Sequence, residues 1–279
     1  MARKRSILIA LMVIFLMAGL VMAGRRTAPT RVGFDESGPI YMQEAPLWLS
    51  GNDALSGYPG NGSAQDPFWI GNLTIDGWQG NYCIFLENID AYFILSNCTL
   101  FNVSSGIALK NVTHGLVMNN TIQNATRGIS LGTSFLNNIS LNDLSLNHQG
   151  ISSFLSYNNT IFHNLIYGNE EGIYLSQSHN NTISDNNLSD NTFTGITLMS
   201  ADDNRILSNT FQCNGEPWSD SDGEGNIFAR NTVESCNNIG LPAPLMILLT
   251  LMGITATVLL ARKGLVFSVP QFMGKNQEN

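Results

Sequence analysis

The sequence predicts an all-β protein, a parallel β-helix solenoid in which coils of about 22 residues stack on one another. One observation is a glycine that recurs at spacings of 22, 22, 22 and 23 residues, each time opening a Gly-Ile phrase. Apolar columns recur with the same period, as expected when each coil packs only on its neighbours. Within a coil, apolar residues alternate as in Ile173 and Leu175, which is the period of a strand and not of a helix. The glycines are Gly106, Gly128, Gly150, Gly172 and Gly195.

The apolar columns predict the interior of the solenoid. Each coil climbs by one strand spacing, roughly 4.8 Å, so residues one period apart stack directly. The repeat is rich in Asn, Ser, Thr and Gly, which favours about three short strands per coil and no helix. The columns are Leu95, Val117, Ile139, Ile161, Ile183, Ile206 and Phe228, and Leu100, Ile122, Leu144, Ile166, Leu188, Phe211 and Val233.

An asparagine also recurs two residues before the second apolar column. Asparagines stacked one strand spacing apart can hydrogen-bond to each other and to the backbone, as side-chain ladders do in stacked strands. We therefore interpret this column as structural and not catalytic, with Cys98 in the place of its first rung. The predicted ladder is Asn120, Asn142, Asn164, Asn186, Asn209 and Asn231.

Upstream of the regular repeats, residues 68–70, 73–75 and 84–86 alternate as strands of the opening coils. The preceding stretch lacks the period and is rich in Gly and Pro, so we assign residues 24–66 to a linker and a cap over the first coil. The β-helix itself is predicted to occupy residues 67–238.

Two apolar segments flank the predicted solenoid. Residues 1–23 combine a basic start, an apolar run and Val-Met-Ala, which favours a cleaved signal peptide; an uncleaved membrane anchor is the alternative. Residues 241–261 form an uncharged run of 21 residues, the length of a transmembrane helix, and residues 262–279 would be a cytoplasmic tail. The flanking basic residues predict that the β-helix lies on the extracellular side of the cell membrane.

The charge distribution excludes one class of partner. The net charge is −8, but residues 27–239 contain 20 acidic and 5 basic residues, so the predicted folded part is strongly acidic. A nucleic-acid surface requires a basic patch, and the sequence contains none.

An extracellular location agrees with the sequons and the cysteines. Cys213 and Cys236 lie one period apart, so stacking brings them to the separation of a disulfide, which we predict. Cys83 and Cys98 are out of register, and their pairing stays open. The eleven Asn-x-Ser/Thr sequons, of which only some are expected to be used, are Asn61, Asn72, Asn97, Asn102, Asn111, Asn119, Asn124, Asn138, Asn158, Asn180 and Asn187.

Several phrases resemble the NosD-type family: Gly60-Asn-Gly-Ser-Ala-Gln-Asp-Pro-Phe-Trp-Ile70, Asn72-Leu-Thr-Ile-Asp-Gly77 and Asn97-Cys-Thr-Leu100. The resemblance covers about residues 55–238. It implies a right-handed parallel β-helix, and many similar proteins are archaeal surface proteins with a signal peptide and a C-terminal anchor. Family members are described as periplasmic copper-binding proteins or as carbohydrate-binding and sugar-hydrolase domains.

We do not expect copper binding here, and the sequence predicts no cofactor. Copper sites need imidazole, thiolate or thioether groups that converge, and the histidines fall in different repeat columns. Calcium is a weak candidate in an acidic loop that resembles the start of a calcium loop but lacks the closing Glu. The histidines are His114, His148, His163 and His179, and the calcium candidates are Asp220, Asp222 and Glu224.

One polar ridge could carry carbohydrate chemistry. Period counting places Arg127, Gln149 and Glu171 in one column, with His148 and Glu170 in the column beside it. Glycosidases use two carboxyl groups about 5–9.5 Å apart, and this ridge offers two glutamates. The simpler interpretation is a solvated turn with surface ion pairs.

Exposed aromatic side chains stack on sugar rings, although tryptophan near a cap is more often part of the core. Trp69, Trp78 and Tyr82 lie near the predicted cap, and Trp218 lies at the far end. We therefore expect a non-enzymatic, membrane-anchored surface protein that binds glycans or surface partners. The alternatives are a carbohydrate-active hydrolase or lyase that uses the ridge, and a structural component of the cell surface.

Overall fold

The computed structural model describes residues 44–234 and residue 236, which wind into a parallel β-solenoid with three faces. Face I contains β2 (Phe68–Gly71), β5 (Phe93–Ser96), β7 (Gly115–Met118), β9 (Asn138–Ser140), β12 (Thr160–Phe162), β15 (Thr182–Ser184), β18 (Arg205–Leu207) and β21 (Ile227–Ala229).

Faces II and III belong to one continuous sheet, because two long strands, β6 (Thr99–Val112) and β8 (Thr121–Gly132), run from one face into the other. The other strands of face II are β3 (Thr74–Asp76), β10 (Asp143–Ser145), β13 (Leu165–Tyr167), β16 (Asn187–Ser189), β19 (Thr210–Gln212) and β22 (Thr232–Glu234). Those of face III are β1 (Leu47–Ser50), β4 (Tyr82–Ile89), β11 (Gln149–Phe154), β14 (Glu171–Ser176), β17 (Thr194–Met199) and β20 (Glu216–Ser221).

The predicted parallel β-helix and its register are confirmed. Ile129, Ile151 and Ile173 lie opposite each other in β8, β11 and β14, one period apart, and the two other apolar columns pair in the same way. The columns fill the interior down to Ile206 and Phe211, which are at most 1% exposed. Val233, in the last strand, is 55% exposed because no described coil packs beyond it.

The recurring glycines are required by a close approach between coils. A Cβ atom on Gly128 would lie 2.5 Å from the carbonyl oxygen of Gly150, and one on Gly150 would lie 2.6 Å from that of Gly172. A real side chain there would push neighbouring backbones apart. The glycine column therefore marks the corner at which adjacent coils are closest.

The predicted asparagine ladder is confirmed in its hydrogen bonds. The Asn142 backbone N–H and side-chain Nδ2 both donate to Asn164 Oδ1 at 3.0 Å, and Asn142 Nδ2 also donates to the Val117 carbonyl at 3.0 Å. The same pattern links Asn164 to Asn186, and Cys98 stands in the first rung as expected, its N–H donating to Asn120 Oδ1. Each rung thus satisfies its own amide and the backbone of its neighbours.

The structure contains further ladders that the sequence analysis missed. They lie at the two other corners of the coil, and a serine column with the same backbone pattern lies beside them. Because their members also recur every 22 or 23 residues, the period alone could have identified them. The additional ladders are Asn137, Asn159, Asn181, Asn204 and Asn226; Asn147, Asn169, Asn191 and Asn214; and Ser134, Ser156 and Ser178.

The residue before each ladder position adopts left-handed backbone geometry, so that the chain can turn the corner. Asn and Asp tolerate this conformation because their short side chains cause little clash, whereas a bulky side chain is strained. One coil places leucine at four such positions, with φ between 49° and 58°, and three of the four leucines are at least half exposed. We call Leu136, Leu141, Leu146 and Leu155 the leucine collar.

The N-terminal part of the solenoid begins earlier than the sequence suggested. β1 (Leu47–Ser50) lies within the stretch assigned to linker and cap, and it pairs in parallel with β4, so it belongs to face III. A short 3-10 helix, Asn52–Leu55, follows it and buries Leu55. The predicted signal or anchor segment and the predicted C-terminal span lie outside the described residues. In the part of the chain that the structure describes, no helix combines the length and apolar character needed to cross a membrane.

A carboxyl group on face II is unusually desolvated. Asp143 begins β10, and its Oδ1 atom is buried without a hydrogen-bond partner among the described residues. Burial raises the pKa of Asp143 above its usual value of 3.8, while a hydrogen bond with Tyr167 acts in the opposite direction. The fold therefore favours the protonated carboxyl.

The ladder predicts a large loss of stability for Asn164→Ala. The substitution leaves the Asn142 backbone and side-chain donors without their acceptor and the Ile139 carbonyl without its donor. Each buried unsatisfied group costs about 1–3 kcal/mol, so we expect a loss of about 3 kcal/mol or more in chemical denaturation. The matched control Asn187→Ala, at an exposed asparagine, should change stability by less than about 0.5 kcal/mol. Equal effects of the two variants would contradict the ladder's role.

The left-handed geometry of the leucine collar predicts that replacing one of its leucines by asparagine stabilises the protein. Leu141 is 50% exposed with φ 56°, and the residue one coil before it in the same column is Asn119 with φ 54°. Leu141→Asn should therefore raise stability by about 1 kcal/mol through relief of backbone strain, measured by thermal unfolding. Leu141→Ala removes the exposed side chain, but alanine does not tolerate left-handed backbone geometry as asparagine does. We therefore expect Leu141→Ala to gain less stability than Leu141→Asn. A gain in Leu141→Ala equal to that in Leu141→Asn would show that strain is not the cause.

The raised pKa of Asp143 predicts that the effect of replacing this residue on stability depends on pH. Because its folded pKa is raised, the protonated form contributes fully below the unfolded pKa and stability falls as pH rises through the folded pKa. Asp143→Asn should raise the melting temperature at about pH 7 and have little effect at about pH 3, where the wild-type carboxyl is protonated in both states. The variant creates a sequon with Ser145, so it should be made in a host without N-glycosylation. A gain that is equal at both pH values would overturn this assignment.

A polar cleft at the corner between faces II and III

A cleft of about 490 Å³ crosses the solenoid at the corner between faces II and III. Its floor is formed where β6 and β8 run through the corner without interruption. The volume falls in the range of about 300–1,000 Å³ that is usual for small-ligand sites. Its lining residues are Gln79, Asn102, Val103, Ser104, Asn124, Ala125, Thr126, Leu146 and His148.

The N-terminal wall is an inserted turn. Eight residues separate Ile75 from Ile84, whereas six separate Leu100 from Ile107 in the next coil. The two extra residues push out Trp78 and Gln79, both in left-handed geometry, and Trp78 is 79% exposed. Its ring is therefore a large accessible apolar surface in the turn that forms one side of the cleft.

Hydrogen bonds hold this turn in place. The Trp78 backbone N–H donates to Asp76 Oδ1 at 3.0 Å, and the Gln79 backbone N–H donates to the Asn102 carbonyl at 2.7 Å. These bonds tie the turn to both the strand before it and the floor strand β6. The wall is consequently preorganised by the protein itself.

The floor carries stacked polar side chains. Asn124 Nδ2 donates to Asn102 Oδ1 at 3.1 Å, and Asn102 Nδ2 donates to Asp76 Oδ1 at 3.2 Å. Ser104 and Thr126 lie two residues further along each strand and line the same cleft. The floor thus presents amide and hydroxyl groups in a fixed array, which suits a ligand with many hydroxyls.

The opposite wall is formed by the next coil. Leu146 of the leucine collar and His148 occupy the positions that Asn124 and Thr126 occupy one coil earlier, so larger side chains raise this edge. His148 Nδ1 lies 2.9 Å from Glu170 Oε2, and both side chains are about half exposed. This pair therefore orients the imidazole at the rim of the cleft.

The predicted ridge is partly assembled. His148 meets Glu170, whereas Glu171 accepts hydrogen bonds from Gln149 Nε2 at 2.8 Å and from Thr197 Oγ1 at 3.2 Å. Each glutamate thus has its own separate partners. Arg127 lies opposite Gln149 in the adjacent strand, as expected, and its side chain is exposed.

A second aromatic group lies on face III beside the inserted turn. Tyr82 stacks on Phe85 with ring centroids 4.5 Å apart, and Trp48 meets Phe85 edge to face at 5.3 Å. Trp48 is 68% exposed and donates from Nε1 to Glu87 at 3.3 Å. Trp48 therefore offers an exposed tryptophan that does not line the cleft.

The cysteines are thiols in this structure. Burial is the main factor that raises the pKa of Cys83 and of Cys98 to about 11, so neither is a reactive thiolate. A hydrogen bond with Cys236 is the main factor that raises the pKa of Cys213 to about 11, which places these two side chains next to each other. The predicted Cys213–Cys236 disulfide stays a prediction, to be formed on oxidation.

The family comparison matches most of the solenoid. The model of the family described as "Periplasmic copper-binding protein (NosD)" matches residues 60–243, about two thirds of the chain. The chain belongs to the NosD family. This finding agrees with the resemblance in the sequence and with a right-handed β-helix.

Solved structures support the fold. Two mutants of the periplasmic alginate epimerase AlgG superpose with a TM-score of 0.51 at 16% and 18% identity. The alignments cover 60% of this chain and 46% and 50% of those chains, so this chain spans about half the length of the structures it matches. At this identity the likeness concerns the fold alone. No curated protein matches the chain.

The described residues do not fit a copper site. His148 contacts Glu170 at the corner between faces II and III, whereas His114 contacts the Asp90 carbonyl and His179 contacts Asp202 about three coils apart at the corner between faces III and I. In residues 44–234 and 236, no three His, Cys, Asp or Glu side chains come together as a metal site would require. We therefore derive no step through copper from the family's description.

One of the three calcium candidates, Asp220, has a protein partner for its carboxylate. Asp220 Oδ2 accepts a hydrogen bond from Asn226 Nδ2 at 3.0 Å, and the Glu224 backbone N–H donates to Asp202 Oδ1 at 2.8 Å. Asp222 is exposed at a corner with φ 58°. The calcium hypothesis remains a weak prediction that these contacts do not support.

The sequence analysis named one residue of the cleft, His148, but missed the cleft itself. His148 and Arg127 were found by counting the period, and Trp78 was named only as an aromatic near the cap. A signal for the opposite wall was present, because the apolar column steps by 25 residues from Ile70 to Leu95 and not by 22. Such an interruption of a regular repeat indicates an insertion, and insertions in solenoids frequently lie on the binding face.

Proposed function

We propose that this protein is a non-enzymatic, membrane-anchored surface protein that binds a glycan in the polar cleft. The observation that carries the proposal is the fixed amide and hydroxyl floor of the cleft, together with the exposed ring of Trp78, the residue before Gln79 in the turn that lines it. Sugars present hydroxyl groups at their edges and C–H groups on their faces. The floor would hydrogen-bond the edges, and the indole would cover a face.

The location of the proposed function rests on the sequence. The apolar run of residues 241–261 has the length of a membrane span, and the basic residues after it favour an extracellular β-helix. The description of the family as periplasmic agrees with a position outside the cytoplasm. Ten of the eleven sequon asparagines are exposed, with Asn102 half-buried in the cleft floor, so those sites are accessible to modification.

Binding is favoured over cleavage by the partners of the carboxylates. Glu171 is held by Gln149 and Thr197, and Glu170 is turned towards His148. A glycosidase needs two carboxyl groups that face one glycosidic bond. In this arrangement neither glutamate lines the cleft.

A carbohydrate-active hydrolase or lyase is the second candidate. One observation favours it, namely that His148 lines the cleft and is oriented by Glu170 at 2.9 Å, as a general base would be. The epimerase activity of AlgG belongs to that protein, and the shared fold adds only that such solenoids can carry carbohydrate chemistry.

The binding proposal predicts different roles for two exposed tryptophans. The full chain in nanodiscs, screened on a glycan array, should bind at least one glycan, and Trp78→Ala should weaken its affinity by about 2- to 12-fold, the equivalent of about 0.5–1.5 kcal/mol of stacking. Trp48→Ala is the matched control, because Trp48 is also exposed but lies in β1 and not in the inserted turn that contributes Gln79 to the cleft, and the affinity of this variant should be unchanged.

An equal loss of affinity in both variants, or no loss in Trp78→Ala, would contradict binding in the cleft. If the protein binds no glycan on the array, a structural role at the cell surface is favoured instead. If the protein releases new reducing or unsaturated ends from a polysaccharide, and Glu170→Gln abolishes this release, the enzyme hypothesis replaces the binding hypothesis.

A further inference from the structure

The C-terminal end of the described solenoid leaves apolar side chains uncovered. β20, β21 and β22 are the last strands of their faces, and no described strand pairs with their outer edges. Val233 is 55% exposed, although its column is filled by buried residues in earlier coils, and Ile227, in an outward column at the rim of the last coil, is 46% exposed. Trp218 and Phe228 stack with ring centroids 5.3 Å apart and are only partly buried. This end is therefore an apolar surface about one coil wide.

The chain length after this end limits where it can lie. The described coil ends at Cys236, and the uncharged apolar run begins at Leu241. The five Cα steps between them span at most about 17 Å when fully extended. If residues 241–261 cross a bilayer, the last coil is tethered within that distance of the membrane core.

We infer that the open C-terminal end of the solenoid rests on the lipid bilayer surface, with Ile227, Trp218 and Phe228 in contact with the headgroup region. This inference rests on the membrane anchor of the proposed function. Tryptophan is enriched at membrane interfaces, because its ring is largely apolar and its N–H group is polar. The short tether holds the last coil near the membrane, so its contact with lipid needs little affinity of its own.

The charges of the last coil specify the lipid chemistry. Its acidic residues outnumber the single basic residue, Arg230, and would be repelled by anionic headgroups. The contact is therefore made by apolar side chains on zwitterionic or neutral lipid and is not driven by charge. The acidic residues of this coil are Glu216, Asp220, Asp222, Glu224 and Glu234.

This placement also sets the height of the cleft. Strand β8, in the cleft floor, is separated from β22 by the steps β8–β10–β13–β16–β19–β22 on face II. At roughly 4.8 Å per coil, these steps raise the cleft about 24 Å above the terminal coil. The ligand would then be a surface polymer or a neighbouring glycoprotein glycan, and not the headgroup of a lipid in the same membrane.

The test uses the full chain in phosphatidylcholine nanodiscs with a photo-crosslinking amino acid, p-benzoylphenylalanine, in place of Ile227. The matched control carries it in place of Asn138, an exposed residue of the same outward column four coils earlier. After irradiation, mass spectrometry should find at least tenfold more lipid adduct at position 227 than at position 138. Unchanged far-ultraviolet circular dichroism confirms that both variants are folded.

Two results would overturn the inference, and they are distinguishable. Anchored protein with equal or absent lipid adducts at both positions would show that the end does not touch the bilayer, while leaving the anchor intact. Protein–protein adducts at position 227 in place of lipid adducts would show that a second copy covers the end. Protein that fails to co-purify with the lipid at all would refute the anchor in the proposed function, and the inference with it.

Discussion

The fold depends on buried asparagine amides that bridge one coil to the next. A ladder asparagine such as Asn164 accepts hydrogen bonds from the asparagine one coil before it, donates to the asparagine one coil after it, and also donates to a backbone carbonyl of the coil before it. A slip of one residue in any coil would leave several of these groups buried and unpaired, at a cost of about 1–3 kcal/mol each. The ladders therefore reinforce the register that the alternation of buried apolar and outward polar residues also specifies.

The cleft arises where the repeat departs from its regular form. The regular coils supply a rigid and nearly featureless wall. The inserted turn at Trp78 raises one side of the corner, and Leu146 and His148 raise the other. One wall belongs to a coil that a ladder holds in register through Asn147, and the inserted turn of the other wall is held by hydrogen bonds to Asp76 and Asn102, so the protein itself fixes both walls. The regular repeats of the sequence thus form the scaffold, and its departures from the repeat form the cleft.

The period in the sequence was sufficient to predict the fold, the apolar columns and one of the ladders, because residues that lie one period apart in the sequence stack on each other in the solenoid. It was also sufficient to bring His148 next to Glu170. It could not reveal the leucine collar, because an exposed leucine at a corner is indistinguishable from a buried one until the backbone is known. It could not separate Glu170 from Glu171 either, since the direction in which adjacent side chains point depends on where the strand begins.

Hydrogen exchange of the ladder side chains tests the central claim most directly. In an isotope-labelled sample, the side-chain NH2 protons of Asn142, Asn164 and Asn186 should exchange only through large-scale opening, orders of magnitude more slowly than those of exposed asparagines such as Asn187. Slow exchange confined to the ladder positions would support the account that these amides hold the coils in register. Exchange of the ladder amides as fast as that of Asn187 would contradict it.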